Sequence, residues 1–167
     1  VAEYLPEKEL SWMHPGRTAS VVVNGDKVGY LGELHPAVAK NYGICTRAYL
    51  AVMDMEKLTQ YANRSVVYKA LPKFPAITRD IAMLVKEDVT VKEIADIIKA
   101  NGGAYLEEVK LFDVYQGAQI EAGYKSVAYS IAFRSADKTL SDADIADAMD
   151  AMLKELAEKL GAQLRDK

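Results

Sequence analysis

The sequence predicts an α+β fold, because residues 70–167 read in the order β-α-β-β-α-β. A strand at 77–86 precedes a helix that opens on a Thr90/Glu93 capping box and stops at Gly102-Gly103. Two more strands, at 105–115 and 124–134, follow with no helix between them. Ser141 then opens a long helix that Gly161 closes, and residues 162–165 suit a short last strand. Two right-handed split crossovers in this order give a ferredoxin-like sandwich, with both helices on one face of an antiparallel sheet.

Apolar residues at helical spacing give each predicted helix one face for packing on that sheet. Three aspartates near the start of the second helix lie where the helix dipole favours negative charge. The apolar positions are Val91, Ile94, Ala95 and Ile98 in the first helix and Ile145, Met149, Met152, Leu153, Leu156 and Leu160 in the second.

The first part of the chain predicts a thinner α+β segment. Two β-rich runs flank Asn24-Gly25-Asp26, which is a strong hairpin signal because Asn and Gly tolerate positive φ. Short helices at 35–40 and 55–61 and a strand at 47–53 follow. Three strands and two short helices lack a covering layer, so we expect part of a larger domain. The Val1 start, with no Met and no signal pattern, agrees with an internal cut.

The domain boundary is expected between residues 69 and 70. A connector with Pro72 and Pro75 follows, where fixed φ angles favour extended backbone. The sequence therefore divides into 1–69, a partial domain, and 70–167, the ferredoxin-like domain.

Composition and charge exclude several functional classes. The formal net charge is −3, and residues 66–167 carry 14 basic and 17 acidic side chains. Nucleic-acid binding through bulk positive charge is therefore not expected, and any RNA contact needs a local arrangement of residues. No apolar run is long enough to predict a membrane span. The chain has one cysteine, Cys45, so no internal disulfide is expected. Its two histidines both precede proline and have no evident third ligand, so no metal site is expected. The sequence shows neither a nucleophile–base pair nor paired catalytic carboxylates, so it does not predict an enzyme active site in this chain.

Alternation along the strands predicts which side chains face away from the helices. On the third strand of residues 70–167 the bulky row should pack on the helices, which leaves Ser126, Ala128 and Ser130 open. On the second strand Asp113 and Tyr115 share a side with Leu111. On the first strand Asp80 and Ala82 lie opposite Ile81, Met83 and Val85. A tyrosine for stacking and a carboxylate that accepts from a guanine edge, on a floor of small residues, suit an unpaired nucleotide.

Five segments in order resemble the bacterial-type phenylalanyl-tRNA synthetase β-subunit family. Two are similar to the end of its catalytic-like region and three to its ferredoxin-fold anticodon-binding domain. The segments are His14-Pro15-Gly16-Arg17-Thr18-Ala19, Val28-Gly29-Tyr30-Leu31-Gly32-Glu33-Leu34-His35-Pro36, Pro75-Ala76-Ile77-Thr78-Arg79-Asp80-Ile81-Ala82, Leu111-Phe112-Asp113-Val114-Tyr115-Gln116-Gly117 and Lys125-Ser126-Val127-Ala128-Tyr129.

The resemblance implies a C-terminal fragment of the β subunit whose residues from about 70 onward bind the anticodon stem-loop of the phenylalanine tRNA. The first anticodon base would stack on Tyr115, with contacts from Asp113, Ser126 and Ala82. Asp80 belongs to the same predicted face. Arg79 is expected either to grip the RNA backbone or to form an intramolecular salt link.

The resemblance also implies what lies outside the fragment. Residues 1–69 would be an inactive class II synthetase-like scaffold that contacts the α subunit and the rest of the β subunit. ATP and magnesium would act in the parent ligase, where the α subunit carries out the chemistry in the cytoplasm. The fragment itself would hold no cofactor and would bind neither DNA nor membrane.

Two alternatives use the same fold. A ferredoxin-like module can sense an amino acid at a dimer interface, and this alternative remains open from the residues alone. An RNA-recognition motif should carry aromatic residues on the open side of its third strand, whereas Tyr129 and Phe133 have the inward parity.

Overall fold

The computed structural model describes residues 2–62, 65, 67–68 and 70–165, and these form two compact units, Val1–Tyr68 and Lys69–Lys167. The boundary predicted between 69 and 70 falls at Lys69, outside the described residues, as does Val1. The elements of the first unit are β1 (Ala2–Pro6), β2 (Met13–Val23), β3 (Asp26–Leu34), α1 (Pro36–Asn41), β4 (Tyr49–Met53) and α2 (Met55–Gln60). Those of the second are β5 (Ile77–Lys86), α3 (Val91–Asn101), β6 (Leu106–Tyr115), β7 (Tyr124–Phe133), α4 (Asp142–Leu160) and β8 (Gln163–Leu164).

The first unit is a four-stranded antiparallel sheet in the order β1-β2-β3-β4. The predicted hairpin is present: Asn24 (φ 50°) and Gly25 (φ 88°) form the two-residue turn between β2 and β3. Strand β1 was not predicted, because five exposed residues ending in proline carry no alternation of apolar and polar side chains. Arg17 is ion-paired to the buried Glu33 at 2.8 Å, which gives this unit a polar link across its sheet.

The second unit confirms the predicted ferredoxin-like sandwich. Its sheet has the strand order β6-β7-β5-β8, every neighbouring pair is antiparallel, and both helices contribute to one core. The predicted capping box is present, because Thr90 N donates to Glu93 Oε2 at 2.7 Å and Glu93 N donates to Thr90 Oγ1 at 3.2 Å. The fully buried members of this core include Met83, Val85, Ile94, Ile98, Val127, Tyr129, Ile131, Phe133, Met152 and Leu156.

One buried hydroxyl ties the helix layer to the sheet. Tyr129 on β7 is 2% exposed, and its Oη donates a hydrogen bond of 2.6 Å to the carbonyl of Val91 at the start of α3. Burial, with a smaller contribution from the charge of Asp96, raises the pKa of this phenol to about 12. The bond holds α3 behind β7, on the side of the sheet opposite Ser126 and Ala128.

The sequence prediction for β6 was wrong at one position. The pairing of β6 with β7 shifts register between Leu106 and Glu108 and again between Leu111 and Asp113. Leu111 therefore pairs with the inward-facing Tyr129, while Asp113 pairs with Ala128. Because each bulge adds an unpaired residue, Leu111 does not share a face with Asp113 as simple alternation predicted.

Candidate nucleic-acid interface

The face of the second sheet that lies away from α3 and α4, here called the open face, is ordered in rows of residues that pair across the strands. Partners in a row have Cβ atoms about 4.5–5.5 Å apart, and successive rows on one face are roughly 7 Å apart along the strands. From β6 through β7 to β5, the rows are Tyr115–Ser126–Leu84, Asp113–Ala128–Ala82, Lys110–Ser130–Asp80 and Glu108–Ala132–Thr78.

Tyr115 is an aromatic residue of this face with 40% of its surface exposed. Its ring lies over Gly117: a Cβ built on that glycine would be 2.5 Å from the tyrosine Oη and 2.8 Å from Cζ. Glycine at 117 thus leaves room for the ring of Tyr115 to extend past the end of β6 and over the following loop. A tyrosine supported from one side presents its free surface to a flat ligand.

The residues beside Tyr115 are small and hydrogen-bonding. Ser126, in the same row as Tyr115, and Ala128, in the next row, are each 7% exposed and form the floor beside the tyrosine. The Ser126 side chain makes no hydrogen bond with any described residue. Among the described residues, every polar side-chain atom that lacks a hydrogen-bond partner has some contact with solvent, and this includes the Ser126 hydroxyl. The Ser126 hydroxyl is therefore not sealed from solvent, and it can donate to or accept from a ligand that lies on the open face.

Asp113 supplies an exposed carboxylate in the row next to Tyr115. It forms no hydrogen bond or ion pair within the described part of the chain. Ala82 lies in the same row on β5, and Asp80 lies one row further from Tyr115. Tyr115, Asp113, Ser126, Ala82 and Asp80 are thus brought to one face.

Arg79 is the one predicted contact residue that the structure does not bring to this face. Its alternate position on β5 places it with the inward row of Ile81 and Met83. There its guanidinium is ion-paired to Asp142 in the first turn of α4 and also donates to the carbonyl of Thr78. Of the two roles predicted for Arg79, the structure contains the intramolecular salt link.

Lys110, Tyr124 and Lys86 are among the open-face residues that were not predicted from the sequence. Lys110 is added by the β6 bulges, which alternation alone does not reveal. Tyr124 and Lys86 pair with each other at the end of the sheet beyond the Tyr115 row. Tyr124 lies two residues before Ser126 on β7, so the alternation of side chains along this strand already indicated that Tyr124 faces the same side as Ser126.

A cavity of about 540 Å³ lies at the opposite end of this unit, between the connector and the ends of β6 and β7. Arg134 forms one wall, donating to Glu107 at 2.7 Å and to the carbonyl of Phe74 at 2.6 Å. These bonds link the connector to β6 through the Arg134 guanidinium. No group of three His, Cys, Asp or Glu side chains in the described ranges is placed to hold a metal ion. The described helices also include none long and apolar enough to cross a bilayer.

Comparison with known proteins gives matches over both units. Residues 72–165 match the family model of the ferredoxin-fold anticodon binding domain, and residues 2–55 match that of the phenylalanyl tRNA synthetase beta chain CLM domain. The phenylalanine–tRNA ligase beta subunit of Clostridium tetani is 48% identical over 164 residues, which are 98% of this chain and 21% of that protein. The corresponding subunits of Clostridium acetobutylicum and Streptococcus thermophilus are 45% and 42% identical, over 97% and 98% of this chain and 20% of each relative. The chain thus spans about a fifth of the length of these relatives.

Proposed function

The chain belongs to the family of ferredoxin-fold anticodon-binding domains found in phenylalanine–tRNA ligase β subunits, and from this premise we propose that its open face binds the anticodon loop of the phenylalanine tRNA. Residues 70–167 form the binding domain in this proposal. Residues 1–69 are a scaffold from the catalytic-like region and contact other parts of the ligase. The family match favours this function over the sensing of a free amino acid.

The proposed contact begins with stacking on Tyr115. The first anticodon base, a guanine in a tRNA that reads phenylalanine codons, lies on the exposed surface of the ring and above the small floor of Ser126 and Ala128. Asp113 accepts hydrogen bonds from the N–H groups of the guanine Watson–Crick edge. This combination of stacking and edge contacts is how single-stranded RNA is read.

Recognition and chemistry are separate in the proposed assembly. The α subunit of the ligase uses ATP and magnesium to activate phenylalanine, at a site outside this chain. The open face contributes affinity and selects the tRNA in the cytoplasm. Substitutions on this face should therefore weaken aminoacylation of tRNA and leave ATP-dependent activation of phenylalanine unchanged in the assembled ligase.

The observation that carries the proposal is the placement of Tyr115, Asp113 and Ser126 in adjacent rows on one helix-free face. Each of the three has an unused capacity there: an exposed ring, an unpaired carboxylate and an accessible hydroxyl. Because residues 66–167 have more acidic than basic side chains, affinity must come from such specific contacts.

The test is filter binding of the chain to two anticodon stem-loop hairpins that differ only in the first anticodon base. Base–aromatic stacking contributes about 1–3 kcal/mol, so Tyr115→Ala should weaken binding by about 5- to 150-fold, whereas Tyr115→Phe keeps the ring and should bind nearly as the unaltered chain does. Asp113→Asn should reduce the preference for guanine. Asp150→Asn is the matched control, because Asp150 is exposed on α4, behind the sheet.

Two results would contradict the proposal. The first is equal binding of both hairpins by the unaltered chain together with no effect of Tyr115→Ala. The second, in the assembled ligase, is a loss of ATP-dependent activation of phenylalanine when Tyr115 is replaced by alanine.

A further inference from the structure

A second tyrosine, Tyr124, lies on the open face at the start of β7. It pairs with Lys86 on β5, and the next open-face row along the strands is Leu84–Ser126. The register of β5 with β7 is continuous from Lys86 to Ile77, so no bulge turns Tyr124 toward the helices. Tyr115 pairs with Ser126, which makes Tyr124 and Tyr115 diagonal neighbours on the same face.

The hydroxyl of Tyr124 has no structural role among the described residues. The ring of Tyr124 is partly exposed, and its hydroxyl bonds to no other residue in the part of the chain that the structure describes. Tyr129 differs on both counts, because its ring is buried and its hydroxyl holds α3. Tyr124 therefore offers a ring surface without being required for the attachment of the helix layer.

Lys86 is the cross-strand neighbour of Tyr124 on β5. Its ammonium group is exposed and forms no ion pair with a described residue. The acidic residues next along the chain, Glu87 and Asp88, lie in the turn after β5, and the backbone of Glu87 is held by the carbonyl of Gly123. A cation adjacent to an aromatic surface suits a nucleotide, whose base stacks while its phosphate takes the positive charge.

We infer that Tyr124 is a second stacking platform, so that Tyr124 and Tyr115 hold two consecutive unpaired nucleotides. Lys86, on the far side of Tyr124 from Tyr115, binds a phosphate of the nucleotide held by Tyr124. The inference rests on the proposed function and extends it from one nucleotide to two. Diagonal neighbours on a sheet are about 7–8 Å apart, roughly twice the 3.4 Å rise of stacked nucleotides. The spacing of these two positions leaves room for each base to stack on its own tyrosine.

The test is a binding series in which the probe is the anticodon stem-loop hairpin with single abasic nucleotides along its loop. Each hairpin is bound by the unaltered chain and by the Tyr115→Ala, Tyr124→Ala, Tyr124→Leu and Tyr124→Phe variants. Loss of one stacked base should weaken binding by about 5- to 150-fold. We expect Tyr115→Ala to abolish the penalty of one abasic position, and Tyr124→Ala and Tyr124→Leu to abolish that of its immediate neighbour. Tyr124→Phe should retain both penalties.

The outcomes separate this inference from the function on which it rests. If Tyr115 is coupled to one loop position and Tyr124 to none, the second platform is wrong and the anticodon interface stands. If neither tyrosine is coupled to any position, both are wrong. Tyr124→Leu keeps an apolar side chain at this position, so equal binding by Tyr124→Leu and Tyr124→Phe would also overturn stacking on Tyr124.

Salt dependence tests the part assigned to Lys86. One phosphate contact to single-stranded RNA contributes about 0.7 to the slope of log K against log salt concentration, so Lys86→Gln should lower the slope by about that amount. Lys99→Gln makes the same change in charge on α3, behind the sheet, and should leave the slope unchanged. Equal slopes for Lys86→Gln and Lys99→Gln would show that Lys86 binds no phosphate.

Discussion

Replacing Tyr129 by phenylalanine tests how α3 is attached to the sheet that carries the open face. The substitution keeps the ring in the core and removes one hydroxyl, which donates at 2.6 Å to the Val91 carbonyl. Val91 is the first residue of α3, so its carbonyl also accepts a hydrogen bond within the helix and is not left without a donor. The cost is then the net value of one hydrogen bond, about 0.5–1.5 kcal/mol.

A loss of about 1 kcal/mol corresponds to a factor of about 5 in the folding equilibrium of the second unit. Amide hydrogen exchange resolved by peptide is the suitable assay, because it measures the opening of β5 and β7 separately from the first unit. Fluorescence of Trp12, the one tryptophan in the chain, would report on the first unit instead. The most protected amides of β5 and β7 should exchange about fivefold faster in Tyr129→Phe.

Tyr124→Phe is the matched control for this prediction. It removes a hydroxyl from the same strand, but one that bonds to no described residue, so exchange should be nearly unchanged. Equal effects of the two substitutions would refute the assigned role of the Tyr129 hydroxyl. A loss well above 3 kcal/mol would refute it too, because it would require a repacked core rather than one missing hydrogen bond.

Three further predictions test the residues around the open face. Gly117→Ala should weaken hairpin binding several-fold with little effect on stability, because the new Cβ would displace the ring of Tyr115. Gly16→Ala is the control, because its new Cβ would have its nearest neighbouring atom at 3.6 Å. Unchanged affinity of Gly117→Ala would contradict the contact between Gly117 and the Tyr115 ring. Arg79→Gln should leave the salt slope of RNA binding unchanged, because Arg79 is paired to Asp142, and a decrease of about 0.7 would return it to the interface. The Asp144 carboxylate accepts hydrogen bonds from Lys138 and from the backbone N–H and hydroxyl of Ser141, and these bonds hold the pKa of Asp144 below its ordinary value. The stability that the ionised carboxylate contributes is therefore fully present above the unfolded-state pKa near 4 and is lost as the pH falls. Asp144→Asn should therefore flatten the acid side of the stability profile measured by circular dichroism, whereas an unchanged profile, or the same flattening by Asp150→Asn, would contradict this.

The sequence predicted the second unit well because its local signals agree with its packing. The capping box of α3 and the left-handed Gly161 after α4 define those helix ends through backbone chemistry that lies within a few residues. The alternation of bulky and small residues along β7 predicted its two faces, because one face is buried under both helices. The open positions of Asp80, Ala82, Asp113, Tyr115 and Ser126 followed from the same alternation.

The features that were missed depend on pairing between strands. The β6 bulges, which move Leu111 inward and Lys110 outward, are set by the register with β7 and have no mark in the sequence of β6 itself. Strand β1 is defined by its ladder with β2, since its own five residues are all exposed. The partner of Arg79 is 63 residues away, so the choice between RNA and an internal salt link required the fold.

Cross-linking tests the central claim most directly, namely that the open face receives the first anticodon base. A stem-loop hairpin with 6-thioguanosine at that position is irradiated with the chain, and the modified peptide is identified by mass spectrometry. The account predicts modification within residues 113–126, which carry Tyr115 at the end of β6 and Ser126 on β7. Modification confined to α3 or α4, with β6 and β7 unmodified, would contradict it.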